Sequence, residues 1–239
     1  MTTIANNLQQ VQARIAQACA AAGRDPDSVS LLAVSKTFGA DAVLEAVAAG
    51  QRAFGENYIQ EGVDKIAAVR AALPAAALQW HCIGPIQSNK TRLVAEHFDW
   101  AHTVDRLKIA ERLSAQRPAH LPALQLCIQV NVDAGPTKAG VPPAEVLDLV
   151  CAVAKLPRLQ VRGLMSIPDP APSHEAQRAV HESARRLFEQ IRQTGAPGLE
   201  KFDTLSMGMT ADLDAAIQAG STMVRVGTGI FGGRSRPTP

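Results

Sequence analysis

Apolar residues at the start of the chain recur with a helical period. Ile4, Leu8, Val11, Ile15 and Cys19 follow one another at steps of three and four, which draws one apolar stripe along a helix. Gly23 ends that stripe and Pro26 follows, so residues 1–23 are predicted to be an N-terminal helix. The pattern then changes to short apolar runs at 30–36, 52–57, 78–84, 100–105, 124–132, 159–167, 204–208 and 222–228. Most of these runs are nearly continuous in apolar residues rather than alternating, as parallel strands covered on both faces should be. Between them lie helical stretches at 41–49, 58–72, 88–97, 106–116, 143–155, 173–194 and 211–219. Gly50, Gly195 and Gly220 stand where helix-ending glycines belong, and Ser88, Asp105 and Thr210 stand at candidate N-caps.

Strands alternating with helices over 239 residues predict an α/β protein, a (β/α)8 TIM barrel. On the pattern alone a doubly wound open sheet competes with it. The chain end favours the barrel. Residues 229–239 are too short for a full closing helix, so the N-terminal helix is expected to cover the gap between the last strand and the first. No linker or composition shift interrupts the chain, and a single domain over 1–239, with a polar tail at 233–239, is expected.

Composition narrows the partners. There are 24 Lys+Arg against 22 Asp+Glu, a net charge of +2, which argues against the dense basic face that nucleic acid binding requires. No run approaches the ~18 apolar residues of a membrane span. Asn6, Asn7, Gln9, Gln10, Gln12 and Arg14 break up any signal-peptide core. Cys19, Cys82, Cys127 and Cys151 are scattered through apolar segments without a Cys-x-x-Cys pair, so buried free thiols are expected rather than disulfides or zinc ligands. A cytoplasmic protein is the resulting expectation. The histidines show no metal-ligand spacing.

In a barrel, chemistry collects at the C-terminal strand ends. Those ends carry Lys36, Asn57, Gly84, Asp105, Asn131, Met165, Ser166, Ser206–Gly208 and Arg225–Thr228. Turns and caps draw on the same residue types. Lys36 closes an apolar run, and a lysine amine crowded by apolar neighbours has a lowered pKa and is available to attack an aldehyde; the other reading is a strand-end lysine with its ammonium in water. Ser206-Met207-Gly208-Met209-Thr210 and Arg225-Val226-Gly227-Thr228-Gly229 stand where barrels often hold a phosphate on backbone N–H groups and small hydroxyls; ordinary tight turns are the alternative. Arg225 shares a strand face with Gly227 and either meets an acidic residue or offers its donors to a ligand ring. A strand-one lysine facing a phosphate site across the barrel mouth suggests pyridoxal 5′-phosphate (PLP).

Five segments carry a recognisable resemblance: Ala33-Val34-Ser35-Lys36-Thr37, Phe54-Gly55-Glu56-Asn57-Tyr58-Ile59-Gln60-Glu61, Trp80-His81-Cys82-Ile83-Gly84-Pro85-Ile86-Gln87-Ser88-Asn89-Lys90, Leu205-Ser206-Met207-Gly208-Met209-Thr210 and the run from Gly220 through Arg225-Val226-Gly227-Thr228-Gly229 to Gly232. In this order, along nearly the whole chain, they resemble the pyridoxal phosphate homeostasis protein family. The resemblance implies an alanine-racemase-like barrel with PLP held as an aldimine on Lys36. It implies phosphate contacts from Ser206, Gly208, Gly227 and Thr228, with Arg225 facing the pyridine nitrogen. An arginine there keeps its proton, so the ring nitrogen stays unprotonated and the cofactor is a weaker electron sink. Asn57, His81 and Met165 either line the pocket or pack and cap the strand ends. Phe38 departs from the lysine many members carry, Thr210 from a serine and Gly229 from an alanine. Lys138-Ala139-Gly140 approximates a Lys-x-Gly motif of the family, and Lys138 reads first as a solvated loop residue, then as a transient PLP contact.

The implied function is PLP homeostasis inside the cell: holding PLP and releasing or transferring it, with PLP-dependent apoenzymes as possible recipients, without robust catalysis. The alternative is a PLP-dependent amino-acid racemase or lyase. Racemisation needs acid/base groups on both faces of a carbon, and Tyr58, the single tyrosine, is no obvious second group. The chain length leaves no room for the second domain that supplies one in racemases. A barrel enzyme acting on phosphates without PLP is a third reading. A monomer or weak dimer is expected.

Overall fold

The structure, a computed structural model, describes residues 3–133 and 139–233. Lys138 and the tail beyond Gly233 lie outside the described residues. Eight strands, β1 Ser30–Val34, β2 Ala53–Glu56, β3 Gln79–Cys82, β4 Trp100–Val104, β5 Leu124–Gln129, β6 Leu159–Met165, β7 Thr204–Met209 and β8 Met223–Val226, pair in chain order as one closed barrel. Closure is made by β1 and β8, parallel in the register Ser30↔Met223, Leu31↔Val224, Leu32↔Arg225 and Ala33↔Val226. This settles the choice between open sheet and barrel in favour of the barrel.

Side chains alternate across each strand, so one set fills the barrel and the other meets the helices. The larger core is outside the sheet: Ala33, Phe54, Trp80, Ala101, Leu126 and Leu205 pack there with the helices. Inside, Leu32, Val34, Ile83 and Met223 form one small apolar cluster, and Trp100, Cys127 and Met165 form another. Between and above these, polar side chains enter the barrel.

The helices are α1 Ile4–Ala21, α2 Ala40–Ala48, α3 Ile59–Ala72, α4 Thr91–His97, α5 Leu107–Gln116, α6 Val146–Ala154, α7 His174–Gln193, α8 Leu213–Gln218 and α9 Thr228–Phe231. On α1 the predicted stripe is the buried face, with Leu8, Val11, Ile15 and Cys19 inside and the Thr3 hydroxyl capping the Asn6 N–H. It packs against α2, α8 and α9, covering the β8–β1 seam. Polar ties hold it there: Asn7 Nδ2 donates to Ile230 O at 2.8 Å and Arg14 Nη1 to Thr210 O at 2.7 Å. No described helix is long and apolar enough to cross a membrane.

The differences from the sequence reading lie at element ends. The strands stop short of the predicted runs because the chain turns: Phe38 N–H bonds Ser35 O, while Ile230 and Phe231 N–H both bond Gly227 O. Thr228 therefore opens a one-turn helix and is not a strand residue. None of the three proposed N-caps holds. Ser88 opens a short 3-10 turn before α4, and Asp105 pairs with Arg106 while α5 begins two residues later. Thr210 precedes Asp212, which stands before α8 and spends its carboxylate on Met209 N–H, at 2.7 Å, and on His181. All four cysteines are free; Cys19, Cys82 and Cys127 are buried, but Cys151, on α6, is only half-buried.

Candidate functional site

The C-terminal ends of the strands surround a cavity of about 320 Å³. Lys36, Asn57, Arg225, Gly227 and Thr228 line it together with Thr210, and Val34, Ile83, Ile167 and Met209 give it apolar walls. Met165, Ser206 and Gly208 do not line it. Met165 is fully buried in the barrel with Trp100 and Cys127, and Ser206 is fully buried beneath Arg225. Gly208 sits behind the wall, at φ 92°, where β7 slips register against β8. A Cβ there would stand 2.5 Å from the Ala216 Cβ, so glycine lets β7 turn and carry Met209 and Thr210 to the mouth.

Lys36 lies two residues beyond β1 and continues the inward alternation of Leu32 and Val34. It is half-buried, which suits an amine that must be reached by a ligand but shielded from bulk water. Asn57 lies one residue beyond β2, and its Oδ1 is buried without a hydrogen-bond partner among the described residues. Gly84 fixes the place of Asn57, because a Cβ at position 84 would stand 1.9 Å from Asn57 O.

Arg225 is 4% exposed and rises from β8 into the cavity floor. Its Nη1 donates to Ser206 O at 2.7 Å and Ser206 Oγ at 2.8 Å, and its Nη2 donates to Ser166 O at 2.9 Å. Burial lowers its pKa to about 10, so it remains a cation at neutral pH. The Ser206 hydroxyl also meets His102 Nδ1 at 3.1 Å, and His102 Nε2 meets His81 Nδ1 at 2.9 Å. His81 stacks on Trp100 with centroids 5.1 Å apart. Burial pushes His81 down to about 3 and His102 well below its ordinary value, so both rings are neutral in the folded protein at neutral pH. The chain of bonds below Arg225 thus fixes its orientation without adding charge.

The opposite rim is small and polar. Thr228 Oγ1 faces Thr210 Oγ1 at 3.4 Å, and the Thr228 and Gly229 N–H groups come before the first N–H that the Gly227 carbonyl accepts. Asp212 closes the turn beside them. Burial raises the pKa of Asp212, but bonds from His181 and Met209 N–H outweigh that and hold its carboxyl below the ordinary range.

Three contributors are not legible in the sequence. His102 read as an unremarkable histidine, yet barrel curvature brings β4 across to Ser206 on β7. Ile167 and Met209 are large apolar residues left 41% and 39% exposed at the mouth, which only the folded strand ends reveal.

An amine, a buried guanidinium and a hydroxyl rim around one cavity fit a phosphorylated aromatic aldehyde, and the orphaned Asn57 Oδ1 is the kind of buried polar atom that a ligand satisfies. The comparisons agree in kind. The alanine racemase N-terminal domain family matches residues 4–235. The pyridoxal phosphate homeostasis protein of Pseudomonas aeruginosa is 55% identical over 239 residues, covering 100% of this chain and 99% of that protein. Its namesake in Escherichia coli (strain K12) is 53% identical over 234 residues and 98% of each chain. Among solved structures, PipY of Synechococcus elongatus with PLP bound superposes with a TM-score of 0.79 at 41% identity, over 91% of this chain and 100% of that one. Built on the alanine racemase N-terminal barrel, this chain belongs to the pyridoxal phosphate homeostasis protein family.

Proposed function

We propose that the protein binds PLP at the barrel mouth and serves intracellular PLP homeostasis, holding the cofactor and giving it up without a robust reaction of its own. The observation that carries this reading is the shared cavity of Lys36 and Arg225, with the Thr210 and Thr228 hydroxyls on its rim. When bound, PLP supplies an aldehyde that condenses with a primary amine, releases one water, and is freed again by water or a second amine. Lys36 Nζ is the attachment amine. Gly227, Thr228 and Thr210 hold the phosphate through backbone N–H and hydroxyl groups, and Asn57 contributes its side-chain amide. Arg225 donates a hydrogen bond to the pyridine nitrogen and keeps its own proton, with Ser206 and Gly208 acting from beneath and behind. The relatives' shared name and the PLP in the PipY structure support this assignment.

The racemase reading lacks a second acid/base group at the site: Tyr58, 54% exposed, does not line the cavity. The four free thiols suit a reducing cytoplasm, where PLP-dependent apoenzymes are the natural recipients. To test the reading, the PLP-loaded protein is incubated with single L-amino acids, and PLP release and product chirality are followed. Release with unchanged chirality is expected; multiple turnovers to the D-isomer would overturn the carrier assignment.

A further inference from the structure

Behind the wall that carries Lys36 lies a buried ionic cluster that no step of PLP binding uses directly. Lys65 on α3 has a side chain 4% exposed, and Glu56 at the end of β2 is fully buried. Lys65 Nζ donates to Glu56 Oε1 at 2.7 Å, to Glu61 Oε1 at 3.1 Å and to the backbone Ser35 O at 2.8 Å. Ser35 Oγ donates to Glu56 Oε1 at 2.5 Å. Glu61 Oε1 accepts the backbone N–H of Thr37 at 2.6 Å.

Two of these bonds are to the peptide groups on either side of Lys36. Ser35 C=O belongs to the peptide before it and Thr37 N–H to the peptide after it. Both are held by charged side chains one turn apart on a single helix. Thr37 meanwhile sits at φ 68°, a left-handed conformation that a β-branched residue adopts only when its surroundings impose it. A cluster that served stability alone would need to neutralise Lys65, which Glu56 does; it would not need to grip the backbone on both sides of one cavity residue.

We propose that Glu61 and Lys65 are positioning residues that clamp the Lys36 backbone, so that the amine is presented to the cavity from a fixed Cα. The advantage is pre-organisation: with both flanking peptides fixed, the Lys36 backbone carries little ordering cost at the moment of capture. This inference rests on the PLP reading above, and its test separates the two.

Glu61 is the residue to change, because at 34% exposed it can be truncated without stranding the buried Lys65–Glu56 pair. In cofactor-free protein, Glu61→Ala is expected to speed amide exchange at Thr37 by about tenfold or more, as the loss of a charge-assisted bond implies. With PLP added and borohydride used to trap the adduct, the same variant is expected to label Lys36 about tenfold more slowly than the unaltered protein. Glu61→Gln keeps an acceptor for Thr37 N–H and is expected to restore both rates to within about twofold. Melting temperature is followed in parallel, since a purely structural role predicts that both variants lose stability while labelling stays fast. Unchanged exchange in Glu61→Ala, or labelling at the unaltered rate, overturns the clamp. If the unaltered protein itself takes no label at Lys36, the PLP reading falls and the functional half of the clamp with it, while the exchange measurement still reports whether Glu61 holds the backbone.

Discussion

Arg225 combines two roles that rarely coincide in one side chain. Three of its contacts are to Ser206 and Ser166, so it is braced from below, and it still lines the cavity. Arg225→Ala and Thr228→Ala are both expected to weaken PLP retention, by about tenfold or more for the arginine, whose hydrogen bonds are charge-assisted, and by less for the hydroxyl. Equilibrium dialysis of PLP against each variant checks this, and unchanged retention in both would mean that the cofactor binds elsewhere. Lys36, Asn57, Arg225, Gly227 and Thr228 were legible in the sequence because each interrupts or ends an apolar run with a polar or small residue. Ser206 was legible as a strand-end residue, but its place under Arg225 was not, since that depends on how β7 slips against β8. Phe38 illustrates the limit from the other side. In the sequence it is a departure from the family's lysine; in the fold its ring packs against Phe231 at 5.3 Å, joining the Lys36 turn to α9.

At the scale of elements, the site depends on a few strand exits that pass very close to one another. Gly84 is the tightest of those that set a cavity residue. Gly84→Ala would press a Cβ into the Asn57 carbonyl at 1.9 Å, an approach that only backbone movement relieves. The expected cost is about 1–3 kcal/mol of stability, read from urea unfolding, with PLP affinity lowered because Asn57 moves with the strand. A variant with unaltered stability would show that the β2 and β3 exits yield to the added Cβ. Strand and helix order were readable from periodicity alone, because most strands are nearly continuous in apolar residues while the helices carry one apolar face. The ends were not. Ser88, Asp105 and Thr210 are cap residues by type, but Asp212 takes the turn before α8 by bonding Met209 N–H and His181 together. The single turn of α9 has no helical signature in the sequence, because Gly229 and Gly232 mask it.

Over the whole molecule, closure is what converts a list of strand ends into a site. Pairing of β1 with β8 sets Leu32 beside Arg225, and thereby brings the lysine of the first strand and the arginine of the last to one cavity. Sequence periodicity could not decide between open and closed sheets, since both have the same alternation. Closure also seals His81 and His102 inside the barrel. Their folded pKa values lie below the ordinary 6.5, His81 at about 3. The unfolded chain therefore binds more protons than the folded one below about pH 6.5, and stability must fall as pH drops through that window. Each histidine contributes a slope of up to about 1.4 kcal/mol per pH unit. Denaturant unfolding from pH 7 to pH 4 should show this loss, and His81→Gln should flatten it; a variant with the full slope would contradict the buried neutral state.

On the proposed function, PLP is held on the amine of Lys36. Reducing the PLP-loaded protein with borohydride, digesting it and mapping the labelled peptide tests this. A single stoichiometric label on Lys36 is expected, abolished in Lys36→Ala. A protein that takes up no PLP, or a label that spares Lys36 and falls on another lysine, would contradict it.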